Sequence, residues 1–228
     1  MKIGILQTGR APDELVVAHG DYNEMFMQLL AGPDISFTTF RVLDDEFPVD
    51  ETEADAWIVT GSRCGVYDGF AWITRLEDWL RHAIARRAPI AGICFGHQVI
   101  AQALGATVEK SEAGWQVGLK TYARTDGSLL TLPAWHQDQI ISPVAGARLL
   151  ASAPGCQYAA FDYGSSVRTY QAHPEFTNDY LRGLFDVRGY LLAKDIVEAG
   201  LASLDHGAPD NIAAEITSFL AETAAARG

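Results

Sequence analysis

Cys94 stands between two glycines in the run Gly92-Ile93-Cys94-Phe95-Gly96-His97-Gln98, directly after the apolar segment Ala88-Pro89-Ile90-Ala91. A thiol placed where a buried strand meets a helical pattern has the geometry of a nucleophile elbow, with the side chain riding a strained turn above the sheet edge. The flanking glycines allow the tight turn and leave room for a substrate carbonyl. The helix that follows presents unpaired N–H groups and its positive dipole end, both of which favour a thiolate. Taken alone, the pattern fits a buried, inert cysteine as well. Covalent acyl chemistry at Cys94 therefore needs partners elsewhere in the chain.

A thiolate nucleophile needs a base and a group that orients the base. Ala172-His173-Pro174-Glu175 offers both, just after the strand-like segment 167–171. Pro174 interrupts strand hydrogen bonding and fixes a bend. In an extended chain His173 and Glu175 project to the same side, so Glu175 is placed to hold the imidazole tautomer and stabilise the imidazolium. Charge developing on the attacked carbonyl needs backbone donors. The N–H of Phe95 is one candidate. The turn Thr60-Gly61-Ser62, where Gly61 permits close approach, offers the other.

These groups need a scaffold to bring them together. Segments 2–7, 35–41, 56–60 and 89–93 read as strands, and 22–30, 72–86 and 95–104 carry apolar residues at helical spacing. Strands alternating with helices predict a parallel sheet covered on both faces. Beyond Leu104 the pattern shifts to short, antiparallel-looking strands near 107–109, 118–122, 128–132, 148–152, 159–163 and 167–171, and segments 178–199 and 211–225 read as helical. The expected architecture is α/β: a central, mostly parallel sheet flanked by helices, with a small antiparallel extension. No repeat, low-complexity tract or linker divides the chain, which predicts a single domain over 1–228 with a helical extension from about residue 190.

A chain of 228 residues can bury a sizeable core, and its net charge of −12 argues against unspecific nucleic-acid binding. The leading segment Met1-Lys2-Ile3-Gly4-Ile5-Leu6 is too short for a signal peptide, and no apolar run approaches a membrane span. Cys64, Cys94 and Cys156 are widely spaced and odd in number, which suggests neither a disulfide framework nor a zinc site. A reducing cytoplasm is the expected location. No metal constellation stands out, thiol acyl chemistry needs no cofactor, and no phosphate-binding G-x-x-x-x-G-K-S/T loop is present. Trp57, Trp72 and Trp79 lie on apolar patterns and read as packing groups. The stretch His19-Gly20-Asp21-Tyr22 could border the site, although a helix cap explains Asp21 equally well.

Thr60-Gly61-Ser62, Cys94-Phe95-Gly96-His97-Gln98 and His173-Pro174-Glu175, in that order, resemble the class I glutamine amidotransferases. These are the triad-type glutaminases, related to the glutaminase part of GMP synthase, and the resemblance covers roughly residues 1 to 190. It implies a flavodoxin-like fold and a reaction in which Cys94 attacks the γ-amide carbon of glutamine. Ammonia leaves, and water hydrolyses the γ-glutamyl thioester to glutamate, with His173 carrying the protons. The resemblance also places Gln98 in the substrate-binding position and sets Trp135-His136-Gln137-Asp138 in the place of the family's Ser-His-Gly-Asp loop. His136, Gln137 and Asp138 are therefore expected to contact the bound amino acid, while Trp135 and Gln137 depart from the family pattern and reshape the pocket. The Cys-Phe-Gly-His-Gln, Gly114-Trp115 and His-Gln-Asp pieces look closer to stand-alone members, some of which remove γ-glutamyl groups from larger amides. Three functions stay open: a glutaminase that hands ammonia to a separate synthase partner, a stand-alone γ-glutamyl hydrolase, and a non-catalytic regulatory protein on the same fold. The intact set of Cys94, His173 and Glu175 weighs against the third.

Overall fold

Unbroken apolar strands must be covered on both faces, and the first half of the chain alternates them with helices for that purpose. The computed structural model describes residues 1–227, without the side chain of His206; Gly228, the last residue of the expected domain, lies outside the described residues. Strands β1 (Lys2–Leu6), β2 (Ser36–Phe40), β3 (Ala56–Val59) and β4 (Ile90–Ile93) are interleaved with helices α1 (Asp13–His19), α2 (Tyr22–Leu29), α3 (Ala71–Ala85) and α4 (Phe95–Ala103). The second half supplies β5 (Thr107–Lys110), β6 (Gln116–Arg124), β7 (Leu129–His136), β8 (Asp138–Ser142), β9 (Arg148–Ala153), β10 (Cys156–Tyr163) and β11 (Val167–Tyr170). Helices α5 (Asn178–Arg188), α6 (Lys194–Ser203) and α7 (Ala213–Arg227) follow.

Nine strands form one sheet in the order β2-β1-β3-β4-β11-β10-β9-β6-β7, while β5 and β8 make a separate antiparallel pair. The strands from β2 to β11 run parallel, and those from β10 to β7 continue the sheet in antiparallel fashion. Strand β11 is the hinge of this plan, parallel to β4 on one side and antiparallel to β10 on the other. Because Tyr170 pairs with Ile93, the chain leaves β4 and β11 at the same sheet edge.

Period-2 alternation splits the strand residues between two cores. On one face Trp57, Val59 and Ile90 pack against the α3 stripe Ile73, Leu76, Leu80 and Ala83. On the other, Ile3, Ile5, Ile58 and Ile93 meet Phe26 and Leu30 of the α2 region and Ile216 and Leu220 of α7. Each fully buried aliphatic side chain of this kind contributes about 1.5–3 kcal/mol, so the two layers hold β4 rigidly between them.

Three elements differ from the sequence reading, the first being strand β8 in a stretch that carries no strand expectation. Helix α1 was not anticipated; it has only seven residues and no side-chain cap. The segment 178–199 is not one helix. It stops at Arg188, passes through the 3₁₀ turn Gly189–Leu191 and restarts at Lys194. The break lets α6 fold back so tightly that a Cβ on Gly200 would stand 2.4 Å from the Phe185 ring. Among the described residues no helix is long and apolar enough to cross a membrane, and no cluster of three His, Cys, Asp or Glu side chains is arranged to hold a metal ion.

Candidate active site

Strand β4 passes to α4 through one residue. Cys94 has φ 52° and ψ −103°, a left-handed backbone that costs a non-glycine residue on the order of 1–3 kcal/mol. Its N–H donates to the Tyr170 carbonyl at 2.8 Å, and its own carbonyl accepts from the Gln98 N–H at 3.1 Å. The neighbouring glycines serve packing. A Cβ on Gly96 would stand 2.3 Å from the Val59 carbonyl oxygen, and one on Gly92 would stand 2.6 Å from Cδ1 of Ile100. The sequence reading assigned both glycines to the turn and to substrate room; here they let α4 close onto β3 and β4.

The base arrives from β11. The His173 N–H donates to the Pro133 carbonyl at 2.9 Å, which steers the segment after Tyr170 across the sheet edge. His173 Nδ1 and Glu175 Oε1 lie 2.7 Å apart, both side chains buried. Phe176 stacks on the imidazole with ring centroids 4.0 Å apart and planes at 5°. Burial alone lowers the basicity of His173, but the charges of Cys94 and Glu175, and hydrogen bonding to both, outweigh it and raise the pKa to about 10. Glu175 Oε2 is buried without a partner among the described residues.

The turn after β3 completes this wall. The Thr60 carbonyl accepts from Thr8 Oγ1 at 2.9 Å and from the Gly96 N–H at 3.1 Å. The Gly61 carbonyl accepts from Thr60 Oγ1 at 3.1 Å and lies 3.0 Å from Thr8 Oγ1, whose single proton it shares with the Thr60 carbonyl. A trans peptide sets N–H opposite C=O, so these anchors turn the N–H groups of Gly61 and Ser62 away from Thr8. A Cβ on Gly61 would stand 2.9 Å from His173 Cε1 and 3.7 Å from Cys94 Cβ, which places the turn against both. Among the described residues neither the Gly61 N–H nor the Phe95 N–H has an acceptor.

Cys94 and His173 open onto a cavity of about 510 Å³ that is also lined by Gln98, Trp135, His136, Gln137 and Asp138. The stretch 135–138, expected as a loop, is instead the end of β7 and the start of β8 with Gln137 alone between them. Sheet pairing with Gln116 pins His136, a constraint invisible in the local sequence. Burial, aided by the nearby His173 and opposed by the Asp138 backbone, lowers the His136 pKa to about 3, and neither ring nitrogen makes a well-formed hydrogen bond among the described residues. His136 is therefore a neutral imidazole with a free donor and a free acceptor. The Gln98 amide nitrogen donates to the Asp138 carbonyl at 2.7 Å and to Gln171 Oε1 at 3.0 Å, which leaves its Oε1 for other contacts. Asp138 Oδ2 accepts from the Tyr67 hydroxyl at 2.9 Å.

Tyr22 also lines the cavity, as do Arg63, Tyr67, Phe176, Arg188 and Tyr190, which the sequence reading does not assign to it. Tyr22 had a signal in the His19–Tyr22 stretch. There Asp21 forms a capping box, its carboxylate accepting the Tyr22 N–H while Glu24 accepts the Asp21 N–H. Phe176 adjoins Glu175. The two arginines carry no local signal, because only the tertiary fold brings the loop after β3 beside the end of α5.

Comparison with known proteins identifies the family of the chain. The glutamine amidotransferase class-I family model matches residues 18–182. Gamma-glutamyl peptidase 5 of Arabidopsis thaliana is 25% identical over 210 residues, which cover 85% of this chain and 84% of that protein. A glutamine-hydrolysing GMP synthase component from Methanocaldococcus jannaschii is 28% identical over 163 residues, 66% of this chain and 85% of that one. In fold, the chain is similar to a crystal structure of a glutamine amido transferase from Methylobacillus flagellatus, with a TM-score of 0.75 over 98% of this chain and 94% of that one at 19% identity. Cysteine elbow, glycine turn and sheet order thus sit within a family match that spans most of the sequence, and the chain belongs to the class I glutamine amidotransferases.

Proposed function

We propose that this chain hydrolyses the γ-amide bond of a γ-glutamyl substrate, with Cys94, His173 and Glu175 as a catalytic triad. The observation that carries the reading is the convergence of the strained Cys94 and the buried His173–Glu175 pair on one cavity. His173 already holds the proton drawn from the Cys94 thiol, and Cys94 Sγ of this ion pair attacks the amide carbon. The carbonyl π pair moves to oxygen, where the N–H groups of Gly61 and Phe95 receive the developing charge. Collapse of this adduct breaks the C–N bond, and the imidazolium protonates the departing amine. Water then adds to the γ-glutamyl thioester while His173 accepts its proton; cleavage of C–S releases glutamate and restores the thiolate beside the imidazolium. Glu175 stabilises the imidazolium in both halves. Gln98, His136, Gln137 and Asp138 border the γ-glutamyl group, and no step requires a metal or cofactor.

Glutamine is the smallest substrate of this class. Similarity to the GMP synthase component favours a second reading, in which ammonia from glutamine passes to a separate partner chain. The test is release of glutamate and amine by the purified chain, with L-glutamine and a γ-glutamyl dipeptide in parallel and Cys94→Ala as control. Cleavage of the dipeptide with slow glutamine turnover selects the stand-alone hydrolase. Turnover of glutamine alone selects the ammonia supplier. Activity that survives Cys94→Ala refutes the mechanism.

A further inference from the structure

The catalytic cavity does not end where a γ-glutamyl group would. Ser62, Arg63, Cys64, Arg188 and Tyr190 line both this cavity and an adjoining cleft of about 450 Å³, which continues along Pro12, Phe70 and Trp72. Gln98 and His136–Asp138 line only the first space. A γ-glutamyl group held by those residues therefore directs its leaving amine toward the passage flanked by Arg63 and Arg188.

Those two arginines are unusual in this chain. Among the described residues, every arginine other than Arg63, Arg87 and Arg188 has a carboxylate partner. Arg87 precedes β4, at the sheet edge away from Cys94. Two guanidinium groups thus face the passage without a counter-ion in a protein of net charge −12. The acids that line these spaces form no ion pair with either arginine: Asp68 accepts the Gly65 N–H, Asp138 accepts the Tyr67 hydroxyl, and Asp13 and Glu14 of the first turn of α1 border the adjoining cleft beyond ion-pair distance of both. A guanidinium presents a planar fork of donors matched to a carboxylate.

We propose that Arg63 and Arg188 recognise a carboxylate on the leaving amine. The preferred substrate class is then a γ-glutamyl amide of an amino acid or short peptide with a free carboxylate, rather than glutamine. This rests on the hydrolase reading above and names the part of the substrate that the triad does not touch.

The test compares γ-glutamylglycine with γ-glutamylglycinamide, which share the γ-glutamyl group and its α-carboxylate and differ only at the distal carboxylate. Binding is measured by calorimetry on Cys94→Ser, so that turnover does not enter. The acid should bind about tenfold more tightly than the amide, as one charge-assisted contact implies. In the background of Arg63→Gln with Arg188→Gln, the acid should fall to the affinity of the amide while the amide is unchanged. Equal affinities in the parent, or no binding of either compound, overturn the proposal. Equal weakening of both compounds in the arginine variant also overturns it, since the arginines would then hold the shared α-carboxylate. Wild-type turnover of both compounds separates this proposal from the reading beneath it. Cys94-dependent cleavage without acid preference sinks only the arginine assignment. Acid-selective binding without Cys94-dependent cleavage supports the arginine assignment and sinks the hydrolase.

Discussion

His173 and His136 line the same cavity and are equally hidden from solvent, each 4% exposed. One is held protonated to a pKa of about 10 and the other is pushed down to about 3. Burial opposes charge at both positions, so burial does not explain the contrast. His173 has Cys94 and Glu175 beside it, whereas His136 has no bonded partner and a second histidine nearby. The pairing divides the cavity into a charged, reactive wall and a neutral wall that offers hydrogen bonds.

The harshest way to probe that division is to remove the reactive wall. Cys94→Ala should lower turnover on the order of 10⁴-fold or more, with the thermal unfolding transition retained. It should also lower the His173 titration midpoint seen by NMR, because one of the two charges that raise it is gone. Glu175→Gln keeps a contact to the imidazole but favours the wrong tautomer, and should cost up to about 10⁴-fold in kcat, again with a lowered midpoint. A midpoint that stays near 10 in both variants would break the account of His173. On the neutral wall, His136→Ala should raise KM about tenfold with kcat within about twofold, the mark of a binding contact. A kcat loss as deep as that of Glu175→Gln would erase the distinction between the walls.

Stability against pH sharpens the same contrast, because the two shifts have opposite signs. The His173 pKa is raised above its unfolded value of about 6.5, so its contribution is complete below that pH and fades as pH rises toward 10. For His136 the folded pKa is lowered, so its unfolded form binds the proton first. Stability is complete above about 6.5 and is lost as pH falls toward 3. His136→Gln should therefore flatten the acid side of a Tm–pH profile and leave the alkaline side alone. The smallest effect is expected away from either wall. Asp21→Ala removes the α2 capping box together with the acceptor of Gln7 Nε2 and of the Ala11 N–H, and should cost about 1–2 kcal/mol, or about 2–8 °C in Tm, with both histidine titrations unmoved.

The reactive wall was far more legible in the sequence than the neutral one, for a physical reason. Gly61, Cys94, His173 and Glu175 sit where strands end, and their neighbours along the chain define their geometry: glycines for close approach, a proline for the bend. The Ile90–Ile93 and Val167–Tyr170 strands were readable because apolar runs are local signals. His136 was misplaced in a loop because its strand is defined by pairing with the distant Gln116. Arg63 and Arg188 were missed because their meaning lies in what they lack, a carboxylate partner, and absence of a tertiary contact leaves no trace in local sequence. Helix α1, short and uncapped by a side chain, is formed mainly by packing of Leu15 against the helical C-terminal region, including Gly183 of α5.

The left-handed backbone at Cys94 carries a consequence for what selection has kept. Glycine would adopt φ 52° without strain, so a chain freed from thiol chemistry would gain folding stability by replacing Cys94 with glycine. The protein retains the less comfortable residue at the centre of its most rigid region. That is the arrangement the proposed thiol chemistry requires, and loss of that chemistry would remove the reason to keep sulfur there.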